Sequence, residues 1–125
     1  MEYKRSESFR HILIKPVDVQ YSCNVDQQVA LTRTGKILDI SPSGMNLLVT
    51  KQLTDEEKEY PLLLSFCLYK QTIESQGVIR WERFHPEGYQ YGIEMVESTQ
   101  LENIIVSELK QRRRQEVLDA KKGTF

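Results

Sequence analysis

Hydrophobic and polar residues alternate along much of this chain. Val17, Val19 and Tyr21 interleave with Asp18, Gln20 and Ser22, a period of two that marks a half-buried strand within Ile12 to Tyr21. Pro16 has no backbone donor, so this strand should start on a sheet edge or be interrupted there. Cys23 to Gln27 is rich in turn formers. A second strand is predicted over Val29 to Ile40, with Gly35 as its bulge or bend, and a third over Met45 to Thr50. Leu62, Leu64, Phe66 and Leu68 alternate with Leu63, Ser65 and Cys67, and this strand is expected to be buried on both faces for part of its length. Thr72 to Phe84 and Tyr89 to Val96 follow, separated by His85-Pro86-Glu87-Gly88, a turn by composition. Six strands at a spacing of roughly ten residues predict a mainly β domain, an antiparallel sandwich or barrel.

The period changes after Glu97. Ser98 is placed to cap a helix, and Leu101, Ile104, Ile105 and Leu109 fall on one of its faces. The stripe thins beyond Leu109, with Val117 and Leu118 resuming it weakly. The helix should therefore dock to about residue 110, with a tail through Lys121 and Lys122 that projects, frays or binds something else. Asp55-Glu56-Glu57-Lys58-Glu59 reads as a solvated acidic loop.

A length of 125 residues fits one domain. The formal net charge is −1, so any anion site must come from local clustering of charge. No apolar run approaches the roughly 20 residues that cross a bilayer, and the charged N-terminus lacks a signal-peptide stretch. A cytoplasmic protein without membrane insertion is expected. Cys23, Cys67, His11 and His85 are scattered, without zinc-site spacing, so no metal or other cofactor is expected. Both cysteines read as buried free thiols.

The candidate chemistry lies in Asp39-Ile40-Ser41-Pro42-Ser43-Gly44, between the apolar runs Lys36-Ile37-Leu38 and Met45-Asn46-Leu47-Leu48-Val49. Asp and Ser bond local backbone groups or a ligand, and Gly suits a chain reversal. Alone, Asp-x-Ser-x-x-Gly is an ordinary hairpin connection. Upstream, however, stands the basic segment Lys4-Arg5-Ser6-Glu7-Ser8-Phe9-Arg10-His11. Downstream stand Gly77-Val78-Ile79-Arg80-Trp81 and Tyr91-Gly92-Ile93-Glu94-Met95.

In this order, the four features resemble the PilZ domain family over roughly residues 4 to 110. The resemblance implies a six-stranded antiparallel split β-barrel with a C-terminal α-helix. Residues 1–11 would form a flexible basic arm, 12–97 the barrel, and 98–125 the helix and tail. It also implies binding of cyclic di-GMP, a bacterial second messenger with two phosphates and two guanines. Arg10 matches the second Arg of the family's Arg-x-x-x-Arg motif. The first should fall at position 6, where this chain has Ser6, and Arg5 is one residue away. Asp39, Ser41 and Gly44 match their family positions. The implied ligand residues are thus Arg5, Arg10, Asp39, Ser41 and Gly44.

The chemistry suits such a ligand. An Arg fork bridges guanine O6 and N7 or grips phosphate through two charge-assisted bonds. Asp accepts from the guanine N1–H and N2–H₂ edge, and turn N–H groups and Ser hydroxyls donate to phosphate. The implied output is a changed surface that regulates a partner protein in motility, adhesion or exopolysaccharide control. The alternative is a PilZ-like adaptor that works by protein contact without the ligand, a reading that Ser6 favours.

The remaining candidates have bland readings. Trp81 reads as core or sheet packing and His11 as a lone exposed histidine. No arrangement of Ser41, Asp39 and a histidine suggests a triad, and Gly-x-x-x-x-Gly-Lys is absent, so no enzyme is expected. Lys110-Gln111-Arg112-Arg113-Arg114 is a short basic run flanked by Glu108, Glu116 and Asp119. It reads as a solvated helix end, with protein contact or self-association through the helix as alternatives and no DNA binding expected.

Overall fold

The computed structural model describes residues 11–23 and 32–122. Six strands precede one long helix: β1 His11–Cys23, β2 Arg33–Ser41, β3 Gly44–Val49, β4 Leu62–Cys67, β5 Thr72–His85, β6 Gly88–Met95 and α1 Thr99–Lys122. All neighbouring strands pair antiparallel in a closed ring, β1-β2-β3-β6-β5-β4. Closure removes most exposed edges and encloses one apolar core. Leu13, Val17, Val19, Tyr21, Ile37, Leu47, Phe66, Tyr91 and Ile93 are among its buried residues.

Several strand expectations change in detail. β2 spans Arg33–Ser41 with Thr32 outside it, and the expected start at Val29 lies outside the described residues. Its irregularity falls between Ile37 and Asp39, and Gly35 pairs regularly with Val19. Leu38 is thus the extra residue. It restores Ile40 to the core while Asp39 stays on the outer side, because one inserted residue reverses the side-chain alternation. β4 is buried on one face only, with Leu63 44% exposed. Cys67 shares that outer face and is exposed, contrary to the expectation of two buried thiols. Cys23 is buried, and its thiol donates to the Glu57 carbonyl at 3.0 Å.

The two ends of the barrel are closed differently. At one end the 50–61 connection folds over the opening. The Leu53 N–H donates to the Tyr91 hydroxyl at 2.9 Å, and that hydroxyl donates to Glu82 at 3.2 Å. Lys58 and Gln52 each reach Glu82 at 2.6 Å and hold its carboxyl below the ordinary value. Arg33 pairs with Glu57 at 2.6 Å, so part of the expected solvated acidic loop is structural.

At the other end α1 packs Ile105 and Leu109 onto the core. The Ser98 hydroxyl caps α1, accepting from the Leu101 N–H at 3.2 Å. The helix continues unbroken to Lys122, and its anchoring extends beyond residue 110. Glu108 is buried, and one of its carboxylate oxygens accepts from the backbone N–H groups of Tyr69, Lys70 and Gln71 at 2.9, 2.9 and 3.0 Å. One turn later Arg112 donates to the Leu68 carbonyl at 2.8 Å and to the Lys15 carbonyl at 3.1 Å. Arg112 is therefore a tether, not part of a solvated helix end. Among the described residues no helix is long and apolar enough to cross a membrane.

Candidate functional site

The β2–β3 turn lies at the helix-capped end. Ser41 pairs with Gly44 across the turn. A Cβ on Gly44 would lie 2.9 Å from the Ile93 carbonyl oxygen, so β6 passes the turn at a distance that favours glycine. The Met95 N–H donates to the Ser43 carbonyl at 2.8 Å and fixes the turn against β6.

Asp39 sits on the outer side of β2. Its carboxylate accepts from Asn46 Nδ2 at 3.1 Å, and Asn46 Oδ1 accepts from Gln90 Nε2 at 3.3 Å. A polar ladder thus runs across β2, β3 and β6 and orients the half-buried carboxylate. Ser41 is buried, and its hydroxyl donates to the Gly44 carbonyl at 3.4 Å. In this arrangement Ser41 shapes the turn, and its hydroxyl must rotate to meet a ligand.

A concavity of about 220 Å³ opens beside the turn, lined by Ser41, Ser43, Gly44, Arg80, Trp81 and Glu94 among others. A neighbouring groove of about 350 Å³ shares Ser43, Arg80 and Glu94. The structure therefore brings Ser41 and Gly44 to one opening and places Asp39 outside it, further back on the same strand. Arg5 and Arg10 lie outside the described residues.

Arg80 and Glu94, missed as site residues, pair across the opening at 2.5 Å. The signal was present in the runs Ile79-Arg80-Trp81 and Gly92-Ile93-Glu94. Val78 lies opposite Glu94, and Arg80, two residues further along β5, reaches that carboxylate diagonally, in a strand register that sequence period alone does not reveal. Trp81 packs as expected. A Cβ on its partner Gly92 would lie 2.1 Å from the indole nitrogen, and Arg83 stacks on the ring at 4.7 Å.

His11 is half-buried rather than simply exposed, with Nε2 3.3 Å from Arg113 Nη1. Burial, helped by Arg113 and Arg112, lowers its pKa from 6.5, against an opposing pull from Glu116. His11 and Ile12 pair with Ile40 and Asp39, so the first residues of β1 lie between the Asp39 motif and α1.

Comparison with known proteins places this architecture. The PilZ domain model matches residues 4–111. The fold is similar to Bacillus subtilis MotI/DgrA, an inhibitor of motility, with TM-score 0.62 and 17% identity over 94% of this chain and 52% of that one. It is also similar to the PilZ domain of YcgR from Escherichia coli with c-di-GMP, with TM-score 0.61 and 15% identity over 97% of this chain and 99% of that domain. K. pneumonia MrkH in its apo state gives TM-score 0.58 and 14% identity over 98% of this chain and 55% of that one. The chain thus spans about half the length of MotI and MrkH and nearly all of the YcgR domain. No curated protein matches by sequence. The chain belongs to the PilZ domain family.

Proposed function

We propose that this PilZ domain is a receptor for cyclic di-GMP that acts by changing its surface toward a partner protein. The carrying observation is the turn from Asp39 to Gly44. Its carboxylate is oriented by Asn46, its glycine lies against β6, and a concavity opens beside it. Asp39 would accept from a guanine edge, and the turn would face phosphate. Arg5 and Arg10 would close over the ligand from the N-terminal side and supply the fork contacts. The family and the ligand held by the YcgR domain support this reading. The similarity to MotI, an inhibitor of motility, supports an output in motility, with adhesion and exopolysaccharide control as further family outputs.

Titration calorimetry with cyclic di-GMP at near-physiological salt, with GMP as control, tests the reading. The expected result is micromolar or tighter binding that disappears in Arg10→Ala and Asp39→Ala. The melting temperature of free Arg10→Ala should stay within about two degrees of the wild type if Arg10 serves the ligand rather than the fold. No heat and no thermal shift at hundreds of micromolar would overturn it.

Ser6 supports a second reading, an adaptor that has lost the ligand. Ser6→Arg restores the family spacing and separates the two. About tenfold tighter binding is expected if the receptor reading holds, from one added charge-assisted contact.

A further inference from the structure

The outer side of the sheet carries polar residues on both flanks of the Ser41–Gly44 turn. On one flank stands Asp39, held by Asn46. On the other stands Glu94, which lies opposite Gly44 of β3 and Val78 of β5. On β5, Ile79 pairs with Ile93 and Trp81 with Gly92, so Arg80 is an extra residue opposite none of β6. A bulge of this kind re-aims side chains beside a site. Here it sends Arg80 and Trp81 in succession to the outer side, and both line the concavity beside Ser41 and Gly44.

Arg80 holds Glu94 through Nε alone. Its guanidinium keeps further N–H donors, and a carboxylate accepts more than one bond. The pair therefore presents a donor beside an acceptor at the edge of the concavity. Its two charges offset one another, so it offers a phosphate little net attraction. What it complements is a neutral edge with an acceptor beside a donor. Guanine has such an edge, O6 next to N1–H and N2–H₂. Adenine reverses it, with N6–H₂ next to a bare N1. Trp81 walls the concavity with a ring that Arg83 already covers at 4.7 Å.

We propose that Arg80 and Glu94 read the second guanine of cyclic di-GMP, while Asp39 takes the first. This rests on the cyclic di-GMP reading given above. Arg80 would donate to O6, and Glu94 would accept from N1–H and N2–H₂. β3 alone separates β2 from β6, so roughly 10 Å lies between the strands of Asp39 and Glu94. The two bases of one cyclic dinucleotide can occupy both flanks, with phosphate at the turn between them. An adenine at the second position would set donor against donor and acceptor against acceptor. The Arg80–Glu94 pair is thus a specificity element separate from Asp39.

The test compares cyclic di-GMP with cyclic GMP–AMP, which keeps one guanine for Asp39 and brings an adenine to Arg80. Calorimetry on the wild type should give at least tenfold tighter binding of cyclic di-GMP, the size of one good base-edge pairing. Arg80→Ala should weaken cyclic di-GMP about tenfold or more and leave cyclic GMP–AMP within about threefold, so that the preference nearly disappears. Glu94→Gln places a side chain that both donates and accepts, and it should narrow the preference by relieving the clash with adenine. Arg80 and Glu94 are 61% and 38% exposed, and such a pair holds little of the fold. Arg80→Ala should therefore melt within about two degrees of the wild type.

Equal weakening of both ligands in Arg80→Ala would overturn the proposal in favour of general charge attraction. Unchanged cyclic di-GMP affinity in that variant would overturn it too and leave a surface ion pair. Wild-type binding of cyclic di-GMP without preference over cyclic GMP–AMP would overturn the proposal alone. Absence of cyclic di-GMP binding in the wild type would remove the receptor reading and this proposal with it.

Discussion

The two ends of this barrel solve the same problem with different materials. At the loop-capped end, side chains close the opening mainly on one another, beside two contacts with the loop's backbone, the Leu53 N–H on the Tyr91 hydroxyl and the Cys23 thiol on the Glu57 carbonyl. Tyr91, Glu82, Lys58 and Gln52 form one cluster, and Arg33 and Glu57 form a second. At the helix-capped end, side chains of α1 bind backbone. Glu108 takes three N–H groups of the β4–β5 turn, and Arg112 takes the Leu68 and Lys15 carbonyls. Side-chain clusters seal a surface, whereas backbone contacts fix the course of other segments. The candidate ligand turn and the first residues of β1 both belong to the second end.

The largest test of this difference is Glu108→Ala. Three N–H groups of the β4–β5 turn would lose a buried, charged acceptor, costing about 3 kcal/mol of stability. In thermal denaturation this corresponds to a fall of roughly 10 °C or more. A loss under about 1 kcal/mol would mean that the turn finds other acceptors and that the helix is a replaceable cap.

Tyr91→Phe probes the opposite end. It removes the hydroxyl that accepts from Leu53 and donates to Glu82, at a cost of about 1–2 kcal/mol by denaturant titration. Cyclic di-GMP affinity should remain within about twofold of wild type, because this network reaches neither the candidate ligand turn nor the start of β1 at His11. A large affinity loss would show that the ends are coupled through the core.

The smallest effect is a pH dependence at His11. In the folded chain its pKa lies below 6.5, through burial and the facing Arg113 and Arg112, with Glu116 opposing. Between the folded value and 6.5 the unfolded state binds more protons. Stability should therefore decline as pH falls through that window, with no contribution from this group well above it. His11→Asn should flatten that part of the stability–pH curve. An unchanged slope would separate His11 electrostatically from α1.

Much of the barrel was legible because burial in a closed sheet imposes a period of two. Val17, Val19 and Tyr21 face inward as their spacing predicts, and Pro16 lies in the irregular part of β1. Alternation does not say whether a second face is covered, which is why Leu63 and Cys67 proved to be exposed. Nor does it locate an inserted residue. Gly35 is the natural suspect by residue type, yet the bulge falls at Leu38, where the apolar residues Ile37 and Ile40 both demand the core.

Within the site, Asp39, Ser41 and Gly44 were legible as a motif, because a tight turn between strands restricts the residue types it accepts. Their division of labour was not. The carboxylate faces Asn46, while the Ser41 hydroxyl turns into the hairpin. Arg80 and Glu94 meet because β5 pairs with β6 in a register that sets Val78 opposite Glu94, and neither strand's own period states that register.

The sequence by itself determined a strand-rich domain, one terminal helix and a turn with ligand-binding residue types. These follow from local propensity and from the spacing that burial imposes. Only the tertiary structure decided that Glu108 and Arg112 are structural while Arg114 stays on the surface. In the sequence all three belong to a short charged stretch. Their difference arises from which backbone groups, 37 to 97 residues away, lie within hydrogen-bond reach. Such long-range partners leave no periodic trace, because they are set by how the ring closes rather than by any segment's own preference.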